Sequence, residues 1–407
     1  MKSVEAHIAD VLAGVRPLDP LDLSLQDAHG CALAEEVVAP WDLPPFDNAS
    51  MDGYAVRVDD LKGAAEDRPV SLPVVGDIAA GSSTVSTIQA GLTARIMTGA
   101  PVPTGTEAVV PVEWTDGGVA TVSVRQVPEP GQHIRRHGED VKKGDVVLTS
   151  GMRLGPAQIG LLAAVGRDRV HVRPRPRVVV LSTGSELVEP GVPIAGGQIS
   201  DSNSYMLTAA AKETGALVYR IGIVRDDART LLATLEDQLI RADLVVTSGG
   251  VSAGAYDVVK EVLTRLGTVK FEQVAMQPGK PQGHGTIGPD STPILTLPGN
   301  PVSAYVSFEV FVRPVLRCMF GVEPLHRPVV RAVCTHELTS VPGKRQYLRA
   351  TLEREEGGFT VSQVGGPGSH LMGDLALANA LIVLGEDVTG LPTGSEVDVM
   401  VLERRQS

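Results

Sequence analysis

The sequence predicts a multidomain α/β protein: a doubly wound parallel α/β domain, a β-rich module, helical and linker segments, and a small carboxyl-terminal barrel or sandwich. Three observations carry that expectation. From Arg177 to Phe320, apolar strand-like runs alternate with helical ones, the pattern of a parallel sheet covered on both faces. From Ala55 to Val127, short β-branched runs (VSLPVV, TARIMT, EAVVPV, VATVSV) are broken by Gly, Pro and Asp, which suits a small all-β unit. After Pro328 the β texture returns in VVRAVC, RQYLRATL, FTVSQV, ALIVLG and EVDVMVL. A chain of 407 residues, 43% of them hydrophobic, is long enough for two to four domains.

The elements follow in order. MKSVEAHIADVLAGV places Val4, Ile8, Val11, Leu12 and Val15 on one helical face, and its acidic residues exclude a signal peptide or a membrane span. Pro44, Pro45, Asp47 and Asn48 mark a turn, and Leu154 to Gly166 reads as a helix with Pro near its start and Gly at its end. Pro174 and Pro176 make a stiff connector. RVVVLS is a strand, Ser202 to Thr214 a helix stopped at Gly215, LVYRIGIV a strand, and Ala228 to Ile240 a helix entered from Asp226 and Asp227. DLVVT, a helix over Val258 to Leu266, TVKFEQVAM and PILTL with its helix complete the alternation.

A formal net charge of −12 argues against nucleic acid and anionic membranes as partners, and no apolar run approaches membrane-spanning length. Cys31, Cys318 and Cys334 lie far apart without a CxxC, which fits a reducing cytosol and argues against metal ligation. The expected location is the cytoplasm.

The chemistry concentrates at two strand-to-helix turns. TSGGVSAGAYD (Thr247 to Asp257) joins an apolar strand to a helix; Gly249 and Gly250 let backbone N–H groups approach an anion at the positive end of the helix dipole. ILTLPGN runs into PGNP, whose helix starts at Pro301, where the missing N–H costs nothing. Two such turns in one sheet predict a ligand with phosphate or oxyanion groups at the carboxyl ends of the strands. GVSAG also matches the GxSxG elbow of serine hydrolases with Ser252 as nucleophile, although its strand ends several residues too early. His133 and His137 have an i, i+4 spacing, yet without an HExxH glutamate they read as solvated loop histidines rather than zinc ligands.

Asp52 in MDGY, Glu186 in STGSEL, Asp226 in VRDD and Asp257 in AYD are the acids of interest. Asp226 and Asp257 could each be a helix N-cap. Gathered at one sheet edge, the last three would repel unless a cation intervened, which points to Mg²⁺ near phosphates; Lys280 would add local positive charge.

PPFDNASMDGYAV (Pro44 to Val56), RIMTGAPVPTGTEAVV (Arg95 to Val110), HIRRHGEDVKKGD (His133 to Asp145), STGSEL, QISDSN, SGGVSAGAYD, QPGKP and LPGNPVS resemble, in order, the motifs of the molybdopterin molybdenumtransferase family, called MoeA in bacteria and similar to the E domain of gephyrin. The resemblance covers nearly the whole chain. It implies insertion of molybdate into adenylylated molybdopterin, the product of a separate MogA-like adenylyltransferase, with release of AMP. It implies four domains: a segmented helical and linker domain (1–45 and 140–176), a β-rich inserted domain (46–139), a MogA-like α/β domain (177–325) and a β-barrel domain (326–407). It implies a homodimer whose site lies between the α/β domain of one subunit and the β-rich domain of the other.

Carried over motif by motif, the active-site positions are Asp52, Thr98, Glu186, Asp226, Asp257, Pro298 and Pro301; the five with reactive side chains are the expected catalytic residues, and the chemistry of the acids leads us to expect Mg²⁺ on Asp226 and Asp257. Substrate would be bound by Ser182, Thr183, Gly249, Gly250, Ser252, Lys280, Pro298, Asn300 and Pro301. Family members often carry an acid where Ala255 stands, a basic residue at Gln277, GDEL where Ser185 gives GSEL, and NSA where this chain has NAS around Ala49. Two alternatives stay open: a serine hydrolase built on Ser252, and a low-activity paralogue that serves as a scaffold.

Overall fold

Alternating apolar and helical runs become a six-stranded sheet in the structure, a computed structural model that describes residues 1–82, 87–225, 227–250 and 256–402. The four strands Leu217–Val224, Arg177–Thr183, Leu244–Ser248 and Thr292–Leu297 are parallel neighbours in that order. Arg177–Thr183, Leu244–Ser248 and Thr292–Leu297 are apolar and largely buried, as suits strands covered on both sides, while the edge strand Leu217–Val224 is mostly half-buried. Pro281–Ile287 and Lys270–Gln273 extend the sheet antiparallel beyond Thr292–Leu297. The first of these, PQGHGTI, has little β propensity, and its glycines explain its presence. A Cβ on Gly285 would lie 2.6 Å from Cα of Val269, and one on Gly283 3.0 Å from the Phe271 ring, so the neighbouring strand fits only against glycine.

Each face of the sheet has its own core. Val178, Val180, Leu244, Val246, Leu295 and Leu297 meet the helices Asn203–Thr214 and Pro301–Ser307 and the amino-terminal helix Val4–Ala13. Val179, Leu181, Val245 and Ile294 meet Leu231 and Leu235 of the helix Ala228–Leu239 and Val259, Val262 and Leu263 of the helix Tyr256–Leu266. The amino-terminal helix starts at Ser3, whose side chain accepts from the Ala6 N–H at 3.1 Å. It buries the apolar face expected from its spacing and one further residue, His7. The run from Pro301 to Phe320 passes through a π-helical segment, Phe308–Val312, just before Pro314. A proline cannot donate to the carbonyl four residues earlier, and a π segment is one way to absorb that loss.

The first segment and the chain after the β module fold together. Leu21–Ser24 and Ala32–Leu33 flank Arg169–Arg173 in a three-stranded sheet, and Val37–Val38 pairs with Val146–Leu148. Between those two pairing points the chain makes a five-stranded sheet in the order Ala108–Pro111, Gly53–Val56, Thr93–Ile96, Val70–Ile78, Thr121–Val124. At the carboxyl end, Arg345–Glu355, Gly358–Gln363, Val329–Cys334, Glu396–Val401 and Ala380–Leu384 pair in that order, and the last pairs back to the first to close a barrel. Met276–Gln277 adds to the barrel strand at Arg345 and Gln346, which ties the α/β domain to it. Among the described residues, no helix is long and apolar enough to cross a membrane.

Candidate active site

All four parallel strands end at one edge, at Thr183, Val224, Ser248 and Leu297. Gly249 (φ +92°) and Gly250 (φ +72°) follow Ser248 in left-handed backbone. A Cβ on Gly249 would sit 2.3 Å from the Thr183 carbonyl oxygen, and one on Gly250 2.3 Å from Cγ2 of Val259. Both turns and close packing therefore require glycine here. The Gly249 N–H donates to the Leu297 carbonyl at 3.1 Å, so this turn leans on the Pro298 to Pro301 turn. Asn203, in the first turn of its helix, clamps both: its Nδ2 donates to Ser248 Oγ and to the Gly299 carbonyl, each at 2.7 Å. Ser248 Oγ in turn donates to the Pro298 carbonyl at 3.3 Å.

Oxygen atoms without partners gather at this edge. Among the described residues, Thr183 Oγ1, Thr247 Oγ1 and Asn203 Oδ1 are buried without a hydrogen-bond partner. Buried polar atoms are ordinarily satisfied, so such a group of acceptors and hydroxyls marks a place built for a ligand. Ser182 Oγ is committed, donating to Asp201 Oδ1 at 2.9 Å. Asp201, 1% exposed, also accepts from the Ser204 N–H and hydroxyl, with Arg220 3.9 Å away. Arg220 is held by Glu189 at 3.1 Å and lies 4.1 Å over the Tyr205 ring.

The exposed Glu186 carboxylate folds over Gly184, where a Cβ would come within 2.7 Å of it. Lys280, exposed, sits just before the strand Pro281–Ile287; the pairing of Gly283 with Thr296 brings it to the same edge as Pro298. Asn300 Nδ2 donates to Ser369 Oγ at 3.0 Å, and the Val302 N–H to the Ser369 carbonyl at 3.0 Å, so the barrel domain abuts the second turn. Hence the structure brings Ser182, Thr183, Glu186, Gly249, Gly250, Lys280, Pro298, Asn300 and Pro301 to one edge. A divalent cation placed there would meet oxygen donors, the ligand set that suits Mg²⁺.

Asp226 and Ser252, like Ala255, lie outside the described residues, as does the Asp257 side chain. The helix Ala228–Leu239 is capped by Asp227, which accepts from the Thr230 N–H at 2.8 Å, so the capping duty weighed for Asp226 is filled by its neighbour. The helix Tyr256–Leu266 starts earlier than expected and puts Asp257 inside its first turn rather than at the cap. The strand ends at Ser248, four residues before Ser252, too far for a nucleophile elbow.

Asp52 and Thr98 form a separate corner. Gly53 pairs with Ile96, so the residue before one strand and the turn after the other come together. Asp52 Oδ1 accepts from the Thr98 N–H at 2.7 Å and from Thr98 Oγ1 at 2.8 Å, and these two bonds hold its carboxyl below the usual carboxylate range. Asp52 and Thr98 thus flank strands of the five-stranded sheet, whereas the α/β edge belongs to the six-stranded one. Of the two loop histidines, His137 Nε2 faces Asp42 Oδ2 at 2.9 Å while His133 packs edge-on to Trp114 at 5.8 Å.

The sequence reading gave no role to Asp201 or Asn203, although both lie in QISDSN. A buried carboxylate and a clamping amide have no spacing signature; the one available signal was an Asp and an Asn just ahead of an apolar helix at a strand-rich edge.

Known proteins match the chain over almost its whole length. Residues 2–166 match the MoeA N-terminal region (domain I and II), 179–318 a probable molybdopterin binding domain, and 331–402 the MoeA C-terminal region (domain IV). The chain is 50% identical to molybdopterin molybdenumtransferase 2 of Mycobacterium tuberculosis (strain ATCC 25618 / H37Rv), over 98% of this chain and 99% of that protein. It is 43% identical to molybdopterin molybdenumtransferase 1 of the same strain, over 99% of both. The fold superimposes on a solved MoeA protein of Pyrococcus horikoshii with a TM-score of 0.77 at 33% identity, over 99% of both chains. With barrel, inserted β module and α/β edge all accounted for, the chain belongs to the MoeA family of molybdopterin molybdenumtransferases.

Proposed function

We propose that the chain completes molybdenum cofactor biosynthesis as a molybdopterin molybdenumtransferase: it takes adenylylated molybdopterin and molybdate, releases AMP and leaves molybdenum on the dithiolene. The observation that carries this reading is the Gly249–Gly250 cradle locked to the Pro298–Pro301 turn by Asn203, with unpaired oxygen atoms beside it. The Gly249 N–H is spent on the Leu297 carbonyl and the space where a Cβ would stand is filled by Thr183 and Val259, so the glycines serve to pack the two turns together, and the Thr183 and Thr247 hydroxyls are the donors that suit an anionic phosphate.

The residues divide the work. Gly249 and Gly250 shape the turn, the Thr183 hydroxyl and the Pro301 helix hold the adenylyl phosphate, and Lys280 balances its charge. Glu186 orients the attacking oxygen of water or molybdate. Asp226 and Asp257 would hold Mg²⁺, which would neutralise charge on the phosphate as the bond to AMP breaks. Asp201 fixes Ser182 and the first turn of the Asn203 helix, so the wall of the cradle does not move.

Asp52 and Thr98 complete the pocket from a second copy of the chain, which fits their separation from the α/β edge within one chain. The enzyme would act in the cytoplasm as a homodimer, next to a MogA-like adenylyltransferase that supplies its substrate. The test is direct: incubate the protein with adenylylated molybdopterin, molybdate and Mg²⁺, and measure AMP and active cofactor. Stoichiometric AMP with cofactor is expected; no AMP would sink the reading, and AMP without cofactor would leave a hydrolase only.

A further inference from the structure

On the face of the sheet covered by the amino-terminal helix, three side chains from distant parts of the chain converge outside the proposed active site. Strand pairing sets Glu272 opposite Gln282 and His284 opposite Lys270. Alternate residues share a face, so Glu272 and His284 point to the same side. The helix Val4–Ala13 lays His7 over them, with His7 Nδ1 3.2 Å and His284 Nδ1 3.9 Å from Glu272 Oε2. One donor atom from each residue lies within 4.8 Å of those of the other two. His7 is 1% and His284 9% exposed, and among the described residues the buried His284 Nδ1 has no hydrogen-bond partner. A buried ring nitrogen left unsatisfied loses its hydration without replacement unless something occupies it.

We propose that His7, Glu272 and His284 form a site for a divalent transition-metal ion of the Zn²⁺ class, which fastens the amino-terminal helix to the antiparallel edge of the sheet. Two imidazoles and one carboxylate are a donor set that Zn²⁺ favours, and Glu272, 27% exposed at its side chain, leaves the remaining position to water. Neighbouring ligands of tetrahedral Zn²⁺ stand about 3.3 Å apart, so the His7–Glu272 pair already fits and His284 has only to swing inward. Both rings are buried, and a buried imidazole offers a lone pair in its neutral form, the form that ligates. Lys2 Nζ is the competitor. It donates to Glu272 Oε2 at 2.7 Å and also reaches Asp10, to which it can retreat when a metal takes the carboxylate.

The test uses the full chain, stripped with a chelator and titrated with Zn²⁺ against a competing chromophoric indicator in excess Mg²⁺. One Zn²⁺ per chain is expected, with a rise in Tm on binding. His284→Gln and Glu272→Gln should each weaken binding by about a hundredfold and abolish the Tm rise, while Lys2→Ala should tighten it by up to about tenfold. Circular dichroism checks that each variant is folded, and two ligand variants guard against the loss of either one. Absence of stoichiometric Zn²⁺ binding, affinity unchanged in the ligand variants, or weaker binding in Lys2→Ala would overturn the site.

Discussion

The α/β edge and the Asp52–Thr98 corner are two halves of one proposed pocket, yet they are built by opposite means. At the α/β edge, position is fixed by backbone: Gly249 and Gly250 have left-handed φ and no room for a Cβ. At the corner, position is fixed by side chains: one carboxylate oxygen accepts both the N–H and the hydroxyl of Thr98 on an exposed surface. A backbone-built site shares its stability with its fold, whereas a side-chain-built one can be dismantled alone. Substitutions at the edge should harm folding and activity together, and substitutions at the corner activity alone.

The largest effect expected is at Gly249. Gly249→Ala drives a methyl toward the Thr183 carbonyl at 2.3 Å in a left-handed turn, so it should destabilise by more than about 3 kcal/mol and abolish AMP release. Gly191→Ala is its control, since φ is +90° there but nothing lies within 4 Å; about 1 kcal/mol should be lost in chemical denaturation and activity kept. Equal losses for the two would show that strain in φ, and not the close approach, governs the edge.

At the corner, Asp52→Asn keeps an acceptor for Thr98 and removes the charge. AMP release should fall by about a hundredfold while stability stays within about 0.5 kcal/mol. Mixing that variant with Asp257→Asn sharpens the comparison, because a heterodimer with a shared pocket has one site with both lesions and one with neither. Activity should return to about half the wild-type rate per mixed dimer, up to about fiftyfold above either parent. Heterodimers confirmed by differential tags that stay inactive would place the whole pocket within one chain. Thr98→Val removes one of the two bonds to Asp52 and should cost about tenfold in rate and under about 1 kcal/mol in stability. It should also move the acid limb of the pH–rate profile upward, since the hydroxyl helps to keep the Asp52 carboxyl low. A profile that does not move would mean that Asp52 ionisation has no part in turnover.

The same contrast explains what could be read from the sequence. Gly249, Gly250 and PGNP announce themselves because special backbone needs special residues, and the alternation around them gives the parallel strands. Pro281–Ile287 stayed hidden: its glycines are there to let Phe271 and Val269 approach, a tertiary demand that lowers local strand propensity. Asp52 and Thr98 could be located by resemblance, but their mutual bond depends on the Gly53–Ile96 register, which no local pattern sets. His7 carries no local signal of its role, since Glu272 and His284 lie more than 260 residues away. The corner's separation from the edge became visible only once the β module had folded.

Two of the contacts between the barrel and the α/β domain involve segments next to the cradle: Met276–Gln277 lies along Arg345 and Gln346, and Ser369 grips Asn300 and Val302. Those contacts make the carboxyl-terminal domain a splint for the loop that carries Lys280 and for the turn that carries Pro301. For anyone recombining family members, the consequence is practical. A chimera that exchanges the barrel alone breaks a matched joint and should lose substrate affinity, whereas one that exchanges the barrel together with residues 276–280 and 298–302 transplants the joint intact.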